Sequence, residues 1–405
     1  MPGRPFILIA AAVLTGCGGG GSDVDRIIDV TLGADYHRAA AAMDANGDGL
    51  QDIVSVSHIL NTNDAYLNVF TQAVGGDFSP KIRISLGDGS TRRVEDVVTA
   101  DLDLDGLPDA VVAHLGLTTA GVTPGREVSV LLKDGVGAAD FAPYRSYTVA
   151  DNPYRLAVAD LDMDGLPDIA VASSGGTHVL FQDGGDPGRF LDAVRVDAGQ
   201  ARGVAIDDLT GDGLPDVVAA GAFGVRLMAN DSVLPGTFVP AGSWPTPTEA
   251  GDLVLADINA DGALDFAVAL SRSDTFDRAG IAYQLQDPVF PAQFGAQVEV
   301  TFPGVRYVSS LDADDLNGDG RVDLVAAVSG PPDEPAIAVL IADPVGLRAP
   351  AFYDSTEPLG PWMALIAQLG PDDIADVVLA YSTSGVHVHY GTGNGVFEDA
   401  VKIGD

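Results

Sequence analysis

The chain has 405 residues, and 58 acidic against 21 basic side chains give a formal net charge of −37, which argues against nucleic acid and anionic lipid surfaces as partners. Apolar residues make up 46% of it, ample for a large core. The 49 Gly and 25 Pro favour many turns over long helices, so an all-β fold is expected.

The first residues read as a targeting segment. MPGR supplies a short start with one basic residue, FILIAAAVL is an apolar run of nine, too short to span a bilayer, and Leu14-Thr15-Gly16-Cys17 closes it. This stretch resembles a bacterial lipoprotein signal peptide. The resemblance implies that residues 1–16 are removed, that Cys17 is lipidated at the head of a glycine-rich tether over 17–24, and that Gly18 directs the protein to the outer membrane or cell surface. Several acyl chains on one cysteine make a stable anchor where a single chain is marginal. Cys17 is the only cysteine, so no intramolecular disulfide can form.

Over residues 25–405 one motif recurs. It reads DANGDGLQD from Asp44, DLDLDGLPD from Asp101, DLDMDGLPD from Asp160, DLTGDGLPD from Asp208, DINADGALD from Asp257 and DLNGDGRVD from Asp315. A seventh copy, QLGPDDIAD from Gln368, keeps the frame and loses most of the acids. First and last copies are 324 residues apart, or 54 per interval over six intervals, a period suited to one four-stranded propeller blade. Phe78, Phe141, Phe190, Phe238, Phe294, Phe352 and Phe397 each follow a motif by 29 to 40 residues, so seven units are expected.

The stretches flanking each motif, such as RLAVAD before and DIAVAS after, are small and β-branched with little alternation, as in strands buried on both faces. A third run such as HVLFQ leads through a Gly, Asp or Pro turn to the Phe and a more polar fourth strand such as AVRVDAG. Both the N-terminal IIDVTLG and the C-terminal FEDAVKI suit the outer strand of the last blade, and only one can take that place. The reading is a seven-bladed β-propeller of four-stranded antiparallel blades with calcium-binding loops. The Phe-marked repeats with DxDxDGxxD between apolar strands resemble the FG-GAP or VCBS repeats of integrin α-subunit propellers and bacterial surface proteins. That resemblance implies a ring-shaped surface module whose ions are structural clips.

The motif itself points to a hard cation. Calcium takes six to eight oxygens, and a nine-residue loop with glycine at position 6 can turn positions 1, 3, 5 and 9 and the carbonyl of 7 inward. An EF-hand would need an acid at position 12, where this chain has Ser55, Val112, Val171, Ala219, Val268 and Ala326. The candidate ligands are Asp44, Asn46, Asp48 and Asp52 in the first loop, Asp101, Asp103, Asp105 and Asp109 in the second, and Asp160, Asp162, Asp164 and Asp168 in the third. They continue with Asp208, Thr210, Asp212 and Asp216, then Asp257, Asn259, Asp261 and Asp265, then Asp315, Asn317, Asp319 and Asp323. About six calcium sites follow, tightest where all four ligands are carboxylates. The seventh loop, left with Asp372 and Asp376, is expected to be empty.

A strand of about six residues spans roughly 20 Å, so the loops leading into the motif strands lie at the opposite end from the metal loops. They carry Tyr36, His37 and Arg38; Arg92 and Arg93; Tyr154 and Arg155; Arg202; Arg306 and Tyr307; and Trp362, with Glu249 breaking the pattern in the fifth repeat. Six of the chain's 18 arginines sit here, forming a candidate basic, aromatic ring for an anionic glycan or an acidic protein ligand. Surface ion pairing of those arginines is the competing reading. His37, Glu249 and His114 are the candidates for catalysis, yet no nucleophile motif or acid and base pair accompanies them. His387 and His389 alternate on one strand, which suits solvated strand surface better than a metal grip. The function expected is a monomeric, calcium-stabilised, lipid-anchored surface module that binds or adheres without catalysis. A polysaccharide lyase or hydrolase, or a structural subunit of a surface assembly, is the alternative.

Overall fold

The computed structural model describes residues 35–59, 64–87, 92–116, 125–270, 279–329, 335–354, 360–369, 372, 374–382 and 384–403. The lipobox, the tether and the IIDVTLG segment up to Gly33 lie outside them. Seven antiparallel four-stranded sheets follow one another along the chain, and no helix occurs among the described residues. Within each sheet the strands pair in chain order. The first strands are Asp35–Met43, Arg92–Ala100, Pro153–Ala159, Ala201–Asp207, Ala250–Ala256, Tyr307–Asp314 and Met363–Ala367. Each packs against the first strand of the next sheet, and the seventh packs against the first, so the sheets form a closed propeller with these strands innermost.

The second strands begin at the last aspartate of each motif: Asp52–Ile59, Asp109–Gly116, Asp168–Ser173, Asp216–Gly221, Asp265–Leu270, Asp323–Ser329 and Asp376–Tyr381. The third, fourth, fifth and seventh are buried at every position, as their unalternating sequences require, because each blade face is covered by a neighbouring blade. The innermost strands are less completely buried, since one edge faces the channel. The outermost strands are largely exposed, as in Arg145–Thr148 and Ala351–Asp354.

One carboxylate per blade ties this arrangement together. The motif's ninth residue is almost fully buried in all seven blades, at 0–1% exposure. Its Oδ2 accepts the N–H of motif position 2, at 2.8–3.1 Å from Ala45, Leu102, Leu161, Leu209, Ile258, Leu316 and Leu369. Its Oδ1 accepts an N–H at the end of the third strand, at 2.6–2.9 Å from Gln72, Lys133, Gln182, Asn230, Gln286, Ala342 and Gly391. The apolar side chain at position 2 is buried beside it, plugging the blade under the loop.

The phenylalanine that follows the third strand pairs with this donor residue, as in Gln72 with Phe78, Lys133 with Phe141, Gln182 with Phe190 and Gln286 with Phe294. Several of these rings pack edge-on against the preceding blade: Phe190 on Tyr147, Phe294 on Trp244 and Phe397 on Tyr353. The sixth blade departs from the sequence reading. There Leu347 pairs with Ala342, while Phe352 lies further on, 38% exposed in the outermost strand. An aliphatic side chain fills the seam as well as a ring, which the Phe spacing hid.

Ring closure also has a definite answer. The C-terminal Val401–Ile403 pairs with Gly385–His389 and completes the last blade. The described residues share no strand across the first and seventh blades, so that seam rests on packing of Ala40, Ile53 and Phe70 against Val378, Val386, Val388 and Ile403. The Tyr390 hydroxyl adds a bond to the Gly76 carbonyl, at 3.2 Å.

If the ninth-position carboxylate holds the blade by itself, its removal should be costly even in the seventh blade, where positions 1 and 3 carry Gln368 and Gly370. Asp376→Ala leaves the buried Leu369 N–H and the partly buried Gly391 N–H without their acceptor and is expected to cost about 2–4 kcal/mol, against under about 0.5 kcal/mol for the exposed Asp372→Ala. Urea unfolding of the two variants measures the difference; equal losses would contradict it.

Candidate functional site

At one end of the ring the motif loops form six acidic turns. Position 1 is the hub: its carboxylate accepts the N–H of position 6 at 2.7–2.9 Å in Asp44, Asp101, Asp160, Asp208, Asp257 and Asp315. The position-5 aspartates Asp48, Asp105, Asp164, Asp212, Asp261 and Asp319 accept the N–H of position 7 at 2.8–3.0 Å. Position 6 is always glycine at φ 81–93°, and nothing lies within 4 Å of where a Cβ would stand, so the backbone conformation demands it rather than crowding. Position 4 is left-handed too. There the second and third loops carry Leu104 and Met163, at φ 61° and 63°.

These two loops are also the ones that gather three carboxylates. Oxygens of Asp101, Asp103 and Asp109 lie within 4.8 Å of one another, as do those of Asp160, Asp162 and Asp168. Burial, and then the like charges of Asp105 and Asp101, hold the Asp103 carboxyl above its usual range; burial, Asp164 and Asp160 do the same to Asp162. Burial pushes Asp109 up to about 6 and Asp168 up to about 7, against the two N–H bonds each accepts. Asp101 Oδ1 is buried without a hydrogen-bond partner among the described residues. An orphaned oxygen beside mutually repelling carboxylates fits a cation, and these clusters could bind a metal ion.

The remaining loops are quieter. Asn46 and Asn259 turn their amides onto Asp48 and Asp261, each at 3.0 Å, and Asn317 donates to Asp323 at 3.0 Å. Arg321 pairs with Asp319 at 2.7 Å. Thr210 spends its N–H on Asp216 at 2.9 Å.

The opposite end holds a cup of about 540 Å³ at the channel mouth. Seven of the nine residues expected to face a ligand line it: Arg38, Tyr154, Arg155, Arg202, Arg306, Tyr307 and Trp362. Tyr36 and Arg93 do not. Tyr36 stacks on His58 at a centroid distance of 5.7 Å, and in the second blade Glu95 takes the place on the cup wall.

One repeat position reaches the cup from every blade. Six residues before each motif start stand Arg38, Glu95, Tyr154, Arg202, Gly251, Ser309 and Trp362, and all seven line it. In the first six blades the register shifts there: Arg38, Glu95, Tyr154, Arg202 and Ser309 are the extra residue of a β-bulge, and Gly251 with Asp252 stands opposite Ala269. A bulge leaves its extra residue outside the ladder and re-aims the side chain, here into the channel mouth.

Three of the six arginines expected in a basic ring, Arg38, Arg155 and Arg202, are in ion pairs, the competing reading of the sequence. Arg38 binds Glu95 with two guanidinium nitrogens and lies over the Trp362 ring, 3.7 Å from its centroid. Arg202 donates to Glu249 at 3.0 Å and covers Tyr154 at 4.4 Å. Arg155 reaches across the channel from the third blade, donating to Asp252 of the fifth at 3.2 Å and to the Ser309 carbonyl of the sixth at 3.1 Å, with Asp96 4.0 Å away. Burial pushes Asp96 up to about 6 although Arg155 opposes the shift. Glu249, the exception in the sequence pattern, is Arg202's partner.

The catalytic candidates are dispersed. His37 is buried in the first blade against Ser55 at 2.8 Å, and His114 against Ser129 at 2.8 Å. Burial lowers the His37 imidazole to about 3. His387 and His389 are buried as well, at 4% and 2% exposure, so they are not solvated strand surface.

The two kinds of ion pair should differ sharply in worth. Arg155→Met leaves Asp252 and Asp96 without a counter-charge in the channel and is expected to cost about 3–5 kcal/mol. Arg202 and Glu249 are 39% and 40% exposed, so Arg202→Met should cost at most about 1 kcal/mol. Denaturant titration of both variants checks the order, and similar losses would contradict the geometry.

Comparison with known proteins agrees with this architecture. Residues 44–112, 160–219 and 208–268 match the FG-GAP-like repeat family. No curated protein sequence matches the chain. Among solved structures, an Agrocybe aegerita lectin that recognises non-reducing terminal N-acetylglucosamine is 19% identical at a TM-score of 0.50, over 79% of this chain and 80% of that one. The Bacillus licheniformis rhamnogalacturonan lyase PL11 is 14% identical at a TM-score of 0.51, over 89% and 72%. BBS1N, solved in complex with ARL6DN, is 12% identical at a TM-score of 0.54, over 92% and 97%. The chain is thus a seven-bladed β-propeller carrying FG-GAP-like repeats.

Proposed function

We propose that this propeller is a non-catalytic ligand-binding module, with calcium clipping one end of its blades and the channel-mouth cup at the other end receiving a glycan or protein ligand. The observation that carries this reading is the repeat position that brings one residue from each of the seven blades to the cup, at a constant offset from the metal loop. Binding is favoured over turnover because Glu95, Glu249 and Asp252 are each tied to an arginine and the histidines candidate for catalysis lie inside blades. An array of glycans and acidic peptides, followed by assay of any retained polysaccharide for cleavage, tests it. Retention without cleavage is expected; cleavage would move the protein to the lyase or hydrolase class.

In the calcium reading, Asp101, Asp103, Asp105 and Asp109 hold one ion and Asp160, Asp162, Asp164 and Asp168 another, with the remaining four loops binding more weakly. Metal binding to the folded state alone stabilises it by mass action, so excess chelator is expected to lower the melting temperature by about 10 °C or more. The pH dependence has a definite sign. Because burial raises the ninth-position aspartates, to about 7 at Asp168 and Asp265, their contribution to metal-free stability is whole below their unfolded values and is lost as pH rises through about 7. Calcium needs the carboxylates, so the gap between melting in calcium and in chelator should widen from about pH 5 to about pH 7.5. A gap that is absent, or constant over that range, would contradict calcium at these loops.

The lipobox reading places the module on the outer membrane or cell surface through Cys17. Cys17→Ser is expected to move the protein from the membrane to the soluble fraction, or leave its precursor uncleaved, and to abolish labelling by a clickable palmitate analogue. A serine variant that stays membrane-bound after high-salt washing would contradict it.

A further inference from the structure

We infer that the cup takes an uncharged, hydroxyl-rich ring, a pyranose at the end of a glycan chain, laid against Tyr307 on the side of the fifth and sixth blades. This rests on the channel mouth being the binding site and goes beyond it by fixing the ligand's chemistry.

The first support is shape. Of the seven equivalent wall positions, five carry Arg38, Glu95, Tyr154, Arg202 and Trp362, and the two adjacent ones carry Gly251 and Ser309. The mouth is therefore lopsided, with its smallest wall side chains on the fifth and sixth blades and the Arg155 guanidinium reaching into the space between them. Tyr307 opens the sixth blade's innermost strand beside that space, 51% exposed, with no ring or guanidinium over its face among the described residues. Tyr154 and Trp362 already carry Arg202 and Arg38 on their rings. An exposed tyrosine face on a rigid strand is an amphipathic platform, suited to the C–H face of a sugar with hydroxyls reaching outward.

The second support is charge. Three of the four arginines on the wall, Arg38, Arg202 and Arg155, are paired with Glu95, Glu249 and Asp252, so guanidinium donors stand beside carboxylate acceptors, and Arg306 adds one further cation. Neighbouring hydroxyls, which both donate and accept, complement such a wall without disturbing it. A sulfate or carboxylate would have to compete with acids already bonded to the arginines.

Depth supplies the third. Arg155 spans the channel, so a polymer cannot thread the ring, and a chain end is what the cup can receive. Its volume of about 540 Å³ suits a small ligand of this kind.

Saturation-transfer NMR of the full chain tests the assignment, using neutral methyl pyranosides of the common hexose and deoxyhexose configurations beside methyl glycosides of uronic acids and sulfated sugars. A neutral glycoside is expected to bind with ring-proton saturation and an affinity unchanged within about twofold between about 50 and 500 mM salt. Tyr307→Ala should weaken it by about tenfold or more, while Val345→Ser, an exposed position outside the cup, should not. If only charged glycosides bind, with an affinity that falls as salt rises and with Tyr307→Ala, the sugar chemistry is wrong and the mouth site stands. Binding indifferent to Tyr307→Ala would overturn the mouth as its place, and no saturation of any glycoside would overturn the assignment.

Discussion

The rest of the structure hangs on a buried carboxylate that accepts two main-chain N–H groups. Each of the seven blades uses it once, to join the start of the motif loop, the start of the second strand and the end of the third. Burying a charge is costly unless its hydrogen bonds are made, and here they are made by backbone that would itself be stranded without the carboxylate. The seventh blade isolates this role: Asp376 keeps both bonds although Gln368 and Gly370 stand where other loops have acids. Position 9 thus secures the blade, while position 3 is left to vary among Asp, Asn, Thr and Gly.

From that fixed point the two ends of each blade separate their tasks. The motif turn sets one end, where six copies share nearly the same hydrogen-bond pattern around a left-handed glycine. In the first six blades the other end is set by a bulge at a constant distance along the innermost strand, where the backbone repeats while the side chains range from glycine to arginine. Sevenfold repetition therefore yields an asymmetric mouth. Arg155 breaks the symmetry most, since it joins three blades across the channel and closes it.

The architecture was legible because its signals are local. Motif spacing gave seven units, and unalternating strands such as DIAVAS gave burial on both faces, since both follow from contacts each repeat makes in the same way. The mouth was legible only in part. Arginines and aromatics marked the right end of the blades, but a bulge changes the alternation of side chains, so Arg93 stood out where Glu95 lines the cup, and Gly251 and Ser309 carried no chemical signal at all. Charge pairing was harder still. Arg38 meets a partner 57 positions away and Arg155 one 97 away, in other blades, so arginines that read as a basic ring in the sequence are largely paired in space. Leu347 in place of a phenylalanine escaped for the same reason, since it packs toward Tyr283 of the neighbouring blade.

If the ninth-position carboxylate is what holds each blade, the amides it accepts should be among the slowest in the protein to exchange, with or without metal. Amide hydrogen exchange in excess chelator, read at Leu102 and Lys133, at Leu161 and Gln182, and at Leu369 and Gly391, measures this directly. The account predicts strong protection at all six, the seventh blade included. Rapid exchange at these amides once metal is withdrawn, while second-strand amides remain protected, would show that the ion and not the carboxylate fixes the loops.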